Sequence, residues 1–501
     1  MNIEKQISKI KKHSSEVNCL LILAAILIVA FYFCKEINYS FAEKVIFLVV
    51  FLIFLFLLSI FLFAKISFFK FAFIFFLLAG GMLVFIQPIL NAPDEVAHLA
   101  RAEIVSRGNF IVEFDEQYHE TIKSITNLAD NSKIPYTQSS IKGDEIDYSH
   151  VNVTHIATTN LSIFYIPQAL GILFAKVLGL NEIWLLWLAR LFNLGVYSLI
   201  IAFSLKIAPK LKMLLFFVAA LPMSLQQAAS CSPDALINST AILLVAVFIY
   251  CYTKDNLMLS KKHMIAIGIL CLIIPMAKVT NVFLIGIIFL IPNKRWSSRK
   301  GAVTYKLVII GLAIIVAACF YMYTSKFSPN LEQAPYLNAM GVDSQKQLQY
   351  IFSHFSEWIK EFGNAIIYQT NDYINSLSVF GWLEQGYPIL TAVMIFTYAK
   401  ICFQEEGFFI SKGKKIYIFL ICVAIYTVTC LALYLTWSPV ESEIILGVQG
   451  RYFIPLIAVI ALMFVEPYSQ RCNGVRSYES DMVIISGMAG AMMIMISNAY
   501  Y

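Results

Sequence analysis

Charged residues are scarce in this sequence, and their scarcity excludes an ordinary soluble protein. Only 14% of the 501 residues are Asp, Glu, Lys or Arg, whereas 59% are hydrophobic and the mean hydropathy is +0.74. A soluble chain of this length needs far more polar surface. Several segments run for about 18 residues or more without a charge, which is enough to span the hydrocarbon core of a bilayer. The sequence therefore predicts an integral membrane protein.

Two further absences and the positions of the basic residues narrow the class of protein. The ten cysteines show no spacing typical of a disulfide framework or a zinc site, and most of them lie inside apolar runs. We find no internal repeat. The net charge of +6 comes mainly from short loops between apolar runs, where basic residues set the orientation in the membrane. The charge therefore does not indicate binding to nucleic acid.

The apolar runs predict an all-α polytopic protein with about thirteen transmembrane helices. The basic N-terminal stretch resembles a signal sequence, but no small-x-small cleavage site follows, so the first run is interpreted as a retained span. Spans are expected at residues 17–34, 43–64, 68–90, 184–205, 211–228, 233–253, 264–277, 279–292, 303–324, 387–403, 415–436, 452–466 and 482–499.

The charges of the loops predict that the N-terminus lies in the cytoplasm. Four basic loops then also lie there, provided that the apolar stretch 161–178 does not cross the membrane. We interpret that stretch as an interfacial helix, although hydropathy alone also allows a crossing. The basic loops contain Lys206, Lys210 and Lys212; Lys261 and Lys262; Lys294, Arg295, Arg299 and Lys300; and Lys412, Lys414 and Lys415.

This orientation leaves two large outer loops, residues 91–183 and 325–386, both expected to carry interfacial helices. The second loop contains an amphipathic helix predicted over Gln345–Asn364. The chain then divides into N-terminal helices over 1–66, a core over 67–466, and a cytoplasmic loop with the last helix over 467–501.

The most unusual polar segment follows the third predicted span and reads Asn-Ala-Pro-Asp-Glu-Val-Ala-His-Leu-Ala-Arg over residues 91–101. Pro93 suits the first turn of a helix, and the following acids suit its positive end. On that helix Asp94, His98 and Arg101 share one face. A capped, solvated interfacial helix explains the same spacing. Glu95 and His98 also form a Glu-x-x-His pair, but a lone pair rarely holds a metal.

Two cations lie near the predicted hydrocarbon boundary on the same outer side. Lys278 interrupts a long apolar stretch just after Pro275, and such a lysine either snorkels to the interface or meets an anion. Arg451 follows Gly450, which allows a ligand to approach the backbone, although an arginine here also serves as an anchor to lipid headgroups. The Ser-Pro-Asp sequence over residues 232–234 is typical of the start of a helix, in which Ser232 or Asp234 caps free N–H groups. Capping alone therefore explains this cluster without a ligand.

Together these groups indicate chemistry on a lipid-linked phosphate. Cations hold a phosphate leaving group, and a carboxylate takes a proton from an attacking hydroxyl. The order of five blocks resembles a bacterial polytopic membrane family of unknown function, whose members look like glycosyltransferases of the GT-C fold class. The blocks are Pro-Asp-Glu-x-x-His-x-x-Arg-Ala (93–102), Ser-Pro-Asp-Ala (232–235), Lys-x-Thr-Asn (278–281), Phe-Gly-Trp-Leu (380–383) and Gln-Gly-Arg-Tyr-Phe-x-Pro (449–455).

The resemblance implies transfer of a sugar, with inversion, from a polyprenyl-phosphate donor to an envelope glycan on the outer side of the bacterial inner membrane. It makes Asp94 the candidate general base and Glu95 the alternative. His98 and Arg101 would orient the acid or contact the sugar, while the remaining candidates bind substrate. A divalent cation, Mg²⁺ or Mn²⁺, stays possible. The remaining substrate-binding candidates are Asp234, Lys278, Trp382, Glu384, Arg451 and Tyr452.

Two other functions remain open at this stage. A transporter or flippase of lipid-linked saccharides would favour ionisable groups near the bilayer midplane and an internal repeat. A polymerase of lipid-linked oligosaccharides would share the outer cations and the large loop, so the sequence separates it poorly from a transferase.

Overall fold

The computed structural model describes residues 3–33, 39–111, 119–141, 143–153, 157, 160–254, 256–325, 335–466 and 478–501. The first part of the predicted loop after residue 466 therefore lies outside the described residues. Helices dominate the fold. The α-helices are α1 (Ile3–Phe33), α2 (Phe41–Phe63), α3 (Phe68–Ile86), α4 (Glu95–Ser106), α5 (Lys123–Asp130), α6 (Ile166–Val177), α7 (Ile183–Ile207), α8 (Lys212–Ala219), α9 (Pro222–Ala228), α10 (Asp234–Thr253), α11 (Lys261–Ala277), α12 (Arg299–Ser325), α13 (Pro335–Ala339), α14 (Ser344–Ser353), α15 (Phe355–Asn375), α16 (Pro388–Gln404), α17 (Lys412–Trp437), α18 (Ile454–Ala461) and α19 (Tyr478–Tyr500).

Short 3₁₀ helices and two small sheets complete the described secondary structure. The predicted all-α architecture is therefore corrected in the two large loops 91–183 and 325–386, where β1 pairs with β2 and β3 pairs with β4, both antiparallel. The strands are β1 (His119–Ile122), β2 (His150–Val153), β3 (Val379–Phe380) and β4 (Gln385–Gly386). The 3₁₀ helices are Tyr136–Gln138, Ser162–Tyr165, Val279–Leu290, Asn293–Arg295, Ser376–Ser378 and Gly450–Phe453.

The chain is a multi-pass membrane protein, with eight described helices long and apolar enough to cross a bilayer. The predicted count of thirteen is not reached by this criterion, because other expected spans form shorter helices. The stretch 161–178 is among the short ones, and α6 has only 12 residues, or about 18 Å. The eight helices are Ser14–Phe33, Phe41–Phe63, Phe68–Ile86, Ile183–Ile207, Asp234–Thr253, Arg299–Tyr323, Lys412–Trp437 and Tyr478–Tyr500.

Three predicted helices differ from the continuous α-helices expected from the sequence. The span expected at 211–228 is broken into α8 and α9, because Pro222 forces the preceding Leu221 into an extended conformation. The span expected at 279–292 is a 3₁₀ helix. The amphipathic helix predicted over 345–364 breaks at His354, which has non-helical dihedral angles, and α15 then continues to Asn375.

Two of the four predicted basic loops meet at the end of α10. Tyr252 lies in the last turn of α10 and contacts both loops. Lys414 Nζ donates to its hydroxyl (3.1 Å), and Arg295 Nη2 donates to its carbonyl oxygen (3.2 Å). The first residue of the same helix is Asp234, and 20 helical residues rise about 30 Å. Asp234 and the basic loops therefore lie at opposite ends of α10.

Helix α6 packs closely on the first half of α7. Gly171 makes this possible, because a Cβ atom there would lie 2.3 Å from the carbonyl oxygen of Leu188. The adjoining 3₁₀ helix, Ser162–Tyr165, packs against α4. This packing brings Ser162 and Tyr165 against the polar face of α4.

Candidate functional site

The turn between α3 and α4 presents one carboxylate and buries the next. Leu90 and Asp94 both have positive φ, 48° and 62°, which is uncommon for residues other than glycine. Asp94 directly precedes the first residue of α4, so Pro93 lies before the helix. The prediction that Pro93 belongs to the first turn is therefore wrong. The Asp94 side chain is 43% exposed, whereas that of Glu95 is 0% exposed. Two adjacent acids therefore have different environments.

Glu95 forms a buried ion pair with Arg190 of α7. Arg190 Nη2 lies 2.7 Å from Glu95 Oε2, Arg190 Nε lies 2.8 Å from Glu95 Oε1, and both side chains are 0% exposed. The same carboxylate accepts the backbone N–H groups of Ala92 (3.1 Å) and Cys231 (3.0 Å). Glu95 is thus fully engaged in joining four segments. Arg190 also donates to the carbonyl oxygens of Val84, Gln87 and Pro88.

Side-chain amides fix the turn that precedes α10. Asn193 of α7 donates to the carbonyl oxygens of Ser230 (2.7 Å) and Ser232 (3.0 Å). Gln168 of α6 donates to the carbonyl oxygen of Cys231 (3.3 Å). The hydroxyl of Ser232 accepts the N–H of Asp234 (3.2 Å), but the predicted side-chain cap is wrong, because Pro233 occupies the N-cap position of α10 and no side chain caps the helix there. These bonds hold Asp234 at the start of its helix.

Arg451 brings Asp94 and Asp234 together. Its Nη2 atom lies 2.5 Å from Asp94 Oδ2, and its Nε atom lies 3.5 Å from Asp234 Oδ2. The Arg451 side chain is only 3% exposed, so these charges interact with little screening by water. The prediction that Gly450 leaves space for a ligand is wrong. A Cβ atom at this position would lie 2.3 Å from the carbonyl oxygen of Tyr373, so protein backbone already fills the space. The glycine instead lets the end of α15 pack against the 3₁₀ helix Gly450–Phe453.

Asp94, Asp234 and Arg451 form the Arg451 cluster. Lys278 lies beside it, on the ring of Tyr452. Its Nζ atom is 3.2 Å from the ring centroid, and the Arg451 guanidinium is 5.2 Å from the same ring. Within the described part of the chain, Lys278 forms no ion pair with a carboxylate. Burial lowers the pKa of Lys278 to about 7, and Asp234 acts in the opposite direction. An anion beside Lys278 would favour its charged form.

His98 points to the outer-loop tyrosine and not into an ion pair. Its Nδ1 atom lies 2.8 Å from the hydroxyl of Tyr165, which Asn160 also contacts at 3.3 Å. Burial lowers the pKa of His98 to about 4, although nearby Asp94 raises it. Burial likewise raises the pKa of Tyr165. Both groups are therefore neutral near pH 7, and His98 is not a cation for phosphate.

Arg101 lies one turn further along α4 and contacts different groups. Its Nη2 atom donates to Ser162 Oγ (2.7 Å) and to the carbonyl oxygen of Phe110 (3.3 Å). Burial lowers the pKa of Arg101, which is 0% exposed. The predicted acid, imidazole and guanidinium face is therefore divided, because each side chain has its own partner from another segment.

Trp382 and Glu384 belong to a neighbouring surface. Glu384 pairs with Lys133 at 2.5 Å, and Lys133 also lies 5.2 Å from the Trp382 ring centroid. Trp382 Nε1 donates to the carbonyl oxygen of Leu90 at 3.4 Å. Their contacts support the start of the strained turn, and the structure does not join them to the Arg451 cluster by a hydrogen bond between described side chains.

The donor set around Asp94 favours a guanidinium bridge over a metal bridge. Among the described residues, no group of three His, Cys, Asp or Glu side chains is arranged to hold a metal ion. Arg451 occupies the position between Asp94 and Asp234 that a bridging cation would take. A role for Mg²⁺ or Mn²⁺ stays a prediction from the resemblance.

Several residues that build the site were not predicted. Arg190 had a visible indication, because an ionisable residue inside a predicted span is by default a candidate for a functional role. Asn193, one turn later, lies in the same span. Ser162 and Tyr165 had no comparable indication, since only the folding of the first outer loop brings them to α4.

Replacing Arg190 by Met is expected to destabilise the protein by about 3–5 kcal/mol, because Glu95 would remain buried without a counter-charge. The measurement is the thermal melting of the purified protein in detergent. Arg107→Met, directly after α4, is the control, with an expected loss of about 1 kcal/mol or less, since Arg107 is partly exposed and its partner Glu103 keeps Lys176 at 2.7 Å. Equal melting temperatures for Arg190→Met and the wild type would contradict the importance of the pair.

His98 is expected to make stability depend on pH between about 6.5 and 4. The unfolded chain binds a proton below about 6.5, whereas the folded protein resists protonation until about 4, so stability falls as the pH is lowered through this window. The loss reaches about 3 kcal/mol. Melting curves of His98→Gln should lack this part of the pH dependence, while His150→Gln, at an exposed histidine, should retain it. Identical pH dependence in wild type and His98→Gln refutes the assignment.

The comparisons with known proteins identify a family and no activity. No curated protein matches the chain, and no solved structure matches it. The model of one family, described as "Predicted membrane protein (DUF2142)", matches residues 75–460. This range contains α4, the Arg451 cluster and each predicted site residue, and it covers more than half of the chain. The chain therefore belongs to the DUF2142 family of predicted membrane proteins.

Proposed function

We propose that this protein is a membrane glycosyltransferase of the GT-C type, which moves a sugar from a polyprenyl-phosphate donor to an envelope glycan with inversion. The observation that carries the proposal is the position of Arg451 between Asp94 and Asp234, with Lys278 beside it. Two cations suited to a phosphate thus lie next to a half-exposed carboxylate. A scaffold or an anchoring protein does not need this combination.

The two cations are suited to the phosphate of the donor in different ways. Arg451 offers a planar fork that matches phosphate oxygens, and Lys278 offers a point charge. The ring of Tyr452 lies against both cations and limits their movement. Because Arg451 is nearly fully buried, its charge acts more strongly on the leaving group than an exposed arginine would.

Asp94 is the proposed general base. Its carboxylate takes the proton of the acceptor hydroxyl while that oxygen attacks the anomeric carbon of the donor sugar. The bond from this carbon to the phosphate oxygen breaks, and its electron pair leaves with the polyprenyl phosphate, whose charge Arg451 and Lys278 stabilise. Attack from the face opposite to the leaving group inverts the anomeric configuration. When the donor phosphate binds to Arg451, the ion pair between Arg451 and Asp94 weakens. The Asp94 carboxylate then becomes a stronger base than it is in the unliganded protein.

Glu95 takes a positioning role in this proposal. Its carboxylate is completely buried and engaged by Arg190 and two backbone N–H groups, which leaves it no open side toward a substrate. Asp234 replaces it as the alternative base, because Asp234 shares Arg451 with Asp94. His98, neutral and bonded to Tyr165, supports the wall of the acceptor site.

We place the site on the outer side of the bacterial inner membrane, with the N-terminus in the cytoplasm. Support comes from the basic loops, which favour the cytoplasmic side and contact the end of α10 opposite to Asp234.

Replacing Asp94 by Asn should lower turnover about 10²–10⁴-fold without loss of folding, because the base is removed and the shape is kept. Wild type and variant are incubated with a panel of polyprenyl-phosphate sugars and a membrane glycan extract, and the release of free polyprenyl phosphate is measured. Asp147→Asn is the matched control, an exposed acid of the same outer loop, and should leave turnover unchanged.

The other outcomes separate the competing functions. Full activity of a folded Asp94→Asn protein would refute the role of Asp94 and direct attention to Asp234. A wild-type protein that consumes no monosaccharide donor in the panel, but joins lipid-linked oligosaccharides, would be a polymerase. Movement of a lipid-linked saccharide across vesicles without a change in its bonds would identify a flippase.

A further inference from the structure

We infer that Arg101 forms a second anion site, which binds a phosphate or carboxylate group of the acceptor glycan. The anion site itself is inferred from the surroundings of Arg101. Only the identity of its ligand, a group of the acceptor glycan, rests on the proposed function. The site would make the protein selective for acceptors that carry negative charge.

Arg101 is a completely buried cation whose binding capacity is only partly used. Its Nη2 atom reaches Ser162 and Phe110, whereas its Nε and Nη1 atoms have no hydrogen-bond partner among the described residues. A buried guanidinium without such partners is costly, and an anion supplies the missing bonds together with the counter-charge. The unused atoms therefore indicate a ligand.

The acids nearest along the helix do not supply the counter-charge. Glu103 binds Lys176 at 2.7 Å, Arg107 at 3.2 Å and the hydroxyl of Thr121 at 2.9 Å. Glu95 is engaged by Arg190. No ion pair joins Arg101 to a described carboxylate.

The polar groups closest to Arg101 are Ser162 Oγ and the carbonyl oxygen of Phe110. Tyr165 and Tyr323 also lie close enough to interact with Arg101 electrostatically. Tyr165 is also bonded to His98, which lies between Glu95 and Arg101 on α4. Along α4, the His98–Tyr165 pair therefore lies between Arg101 and the Arg451 cluster at the start of the helix.

Distance separates this site from the phosphate of the donor. Asp94 and Arg101 are seven residues apart, which corresponds to about 10 Å along the helix. The donor phosphate belongs next to Arg451, whose Nη2 atom lies 2.5 Å from Asp94. An anion at Arg101 is too far away to be that phosphate. It fits a charged group of the acceptor, whose reacting hydroxyl must lie at Asp94.

Inorganic phosphate is the probe for the anion site. The purified protein is first saturated with polyprenyl phosphate, which fills the donor site, and phosphate is then titrated at constant ionic strength while the melting temperature is recorded. We expect a second, saturable rise in the wild type and at least about tenfold weaker phosphate binding in Arg101→Gln, since charged hydrogen bonds are lost. Arg107→Gln, directly after the same helix, should behave as the wild type.

Two results would overturn the inference. One is a wild-type protein without a second saturable rise, and the other is a folded Arg101→Gln protein with unchanged phosphate binding. If Arg101→Gln does not fold, Arg101→Lys keeps the charge but loses the fork, and unchanged phosphate binding there is equally contradictory. A missing response to polyprenyl phosphate, with the phosphate response of Arg101 intact, would instead refute the proposed donor site alone.

Turnover separates recognition of the charge from a purely structural role of Arg101. A structural role would affect charged and neutral acceptors equally. Acceptors that differ only by one anionic group are compared in the wild type and Arg101→Lys. The KM for the charged acceptor should rise about tenfold, with kcat and the KM for the neutral acceptor unchanged. An equal effect on both acceptors would contradict recognition of the charge.

Discussion

The buried ion pair between Glu95 and Arg190 is the contact on which the rest of the site depends. Removing two charges from water is expensive, and the structure compensates by giving the carboxylate two backbone N–H groups and the guanidinium three carbonyl groups. These bonds join the end of α3, the strained turn, α7 and the turn before α10. Asp94 and Asp234 are both attached to this assembly, so their separation is set by it.

Arg451 then connects the two carboxylates and gives the site its electrostatic character. It is nearly buried, whereas Asp94 is 43% exposed, so the acid faces open space while its partner does not. The same guanidinium that balances Asp94 in the unliganded protein is also the group best suited to a phosphate. The proposed reaction uses this double role, because binding of the donor weakens the hold of Arg451 on Asp94.

The apolar runs sufficed to predict a polytopic helical protein and to place most helices, because hydrophobic length is a local property of the chain. The structure also brings together Asp94, Asp234, Lys278, Arg451 and Tyr452, which were assigned from the sequence to the same side of the membrane. Local spacing failed for Arg101 and His98, which share the face of α4 with Asp94 but bind outer-loop residues distant in sequence. Gly450 was misread for a related reason, since its small size accommodates α15, and no local pattern reveals a tertiary contact.

The most direct test of this account is a cryo-EM structure of the protein with polyprenyl phosphate. The account predicts the phosphate group within hydrogen-bond distance of both Arg451 and Lys278, with the Asp94 carboxylate facing the space beside it. A phosphate group held elsewhere, with the Arg451–Asp94 pair undisturbed and Lys278 still on the Tyr452 ring, would contradict the assignment of the two cations and with it the proposed reaction.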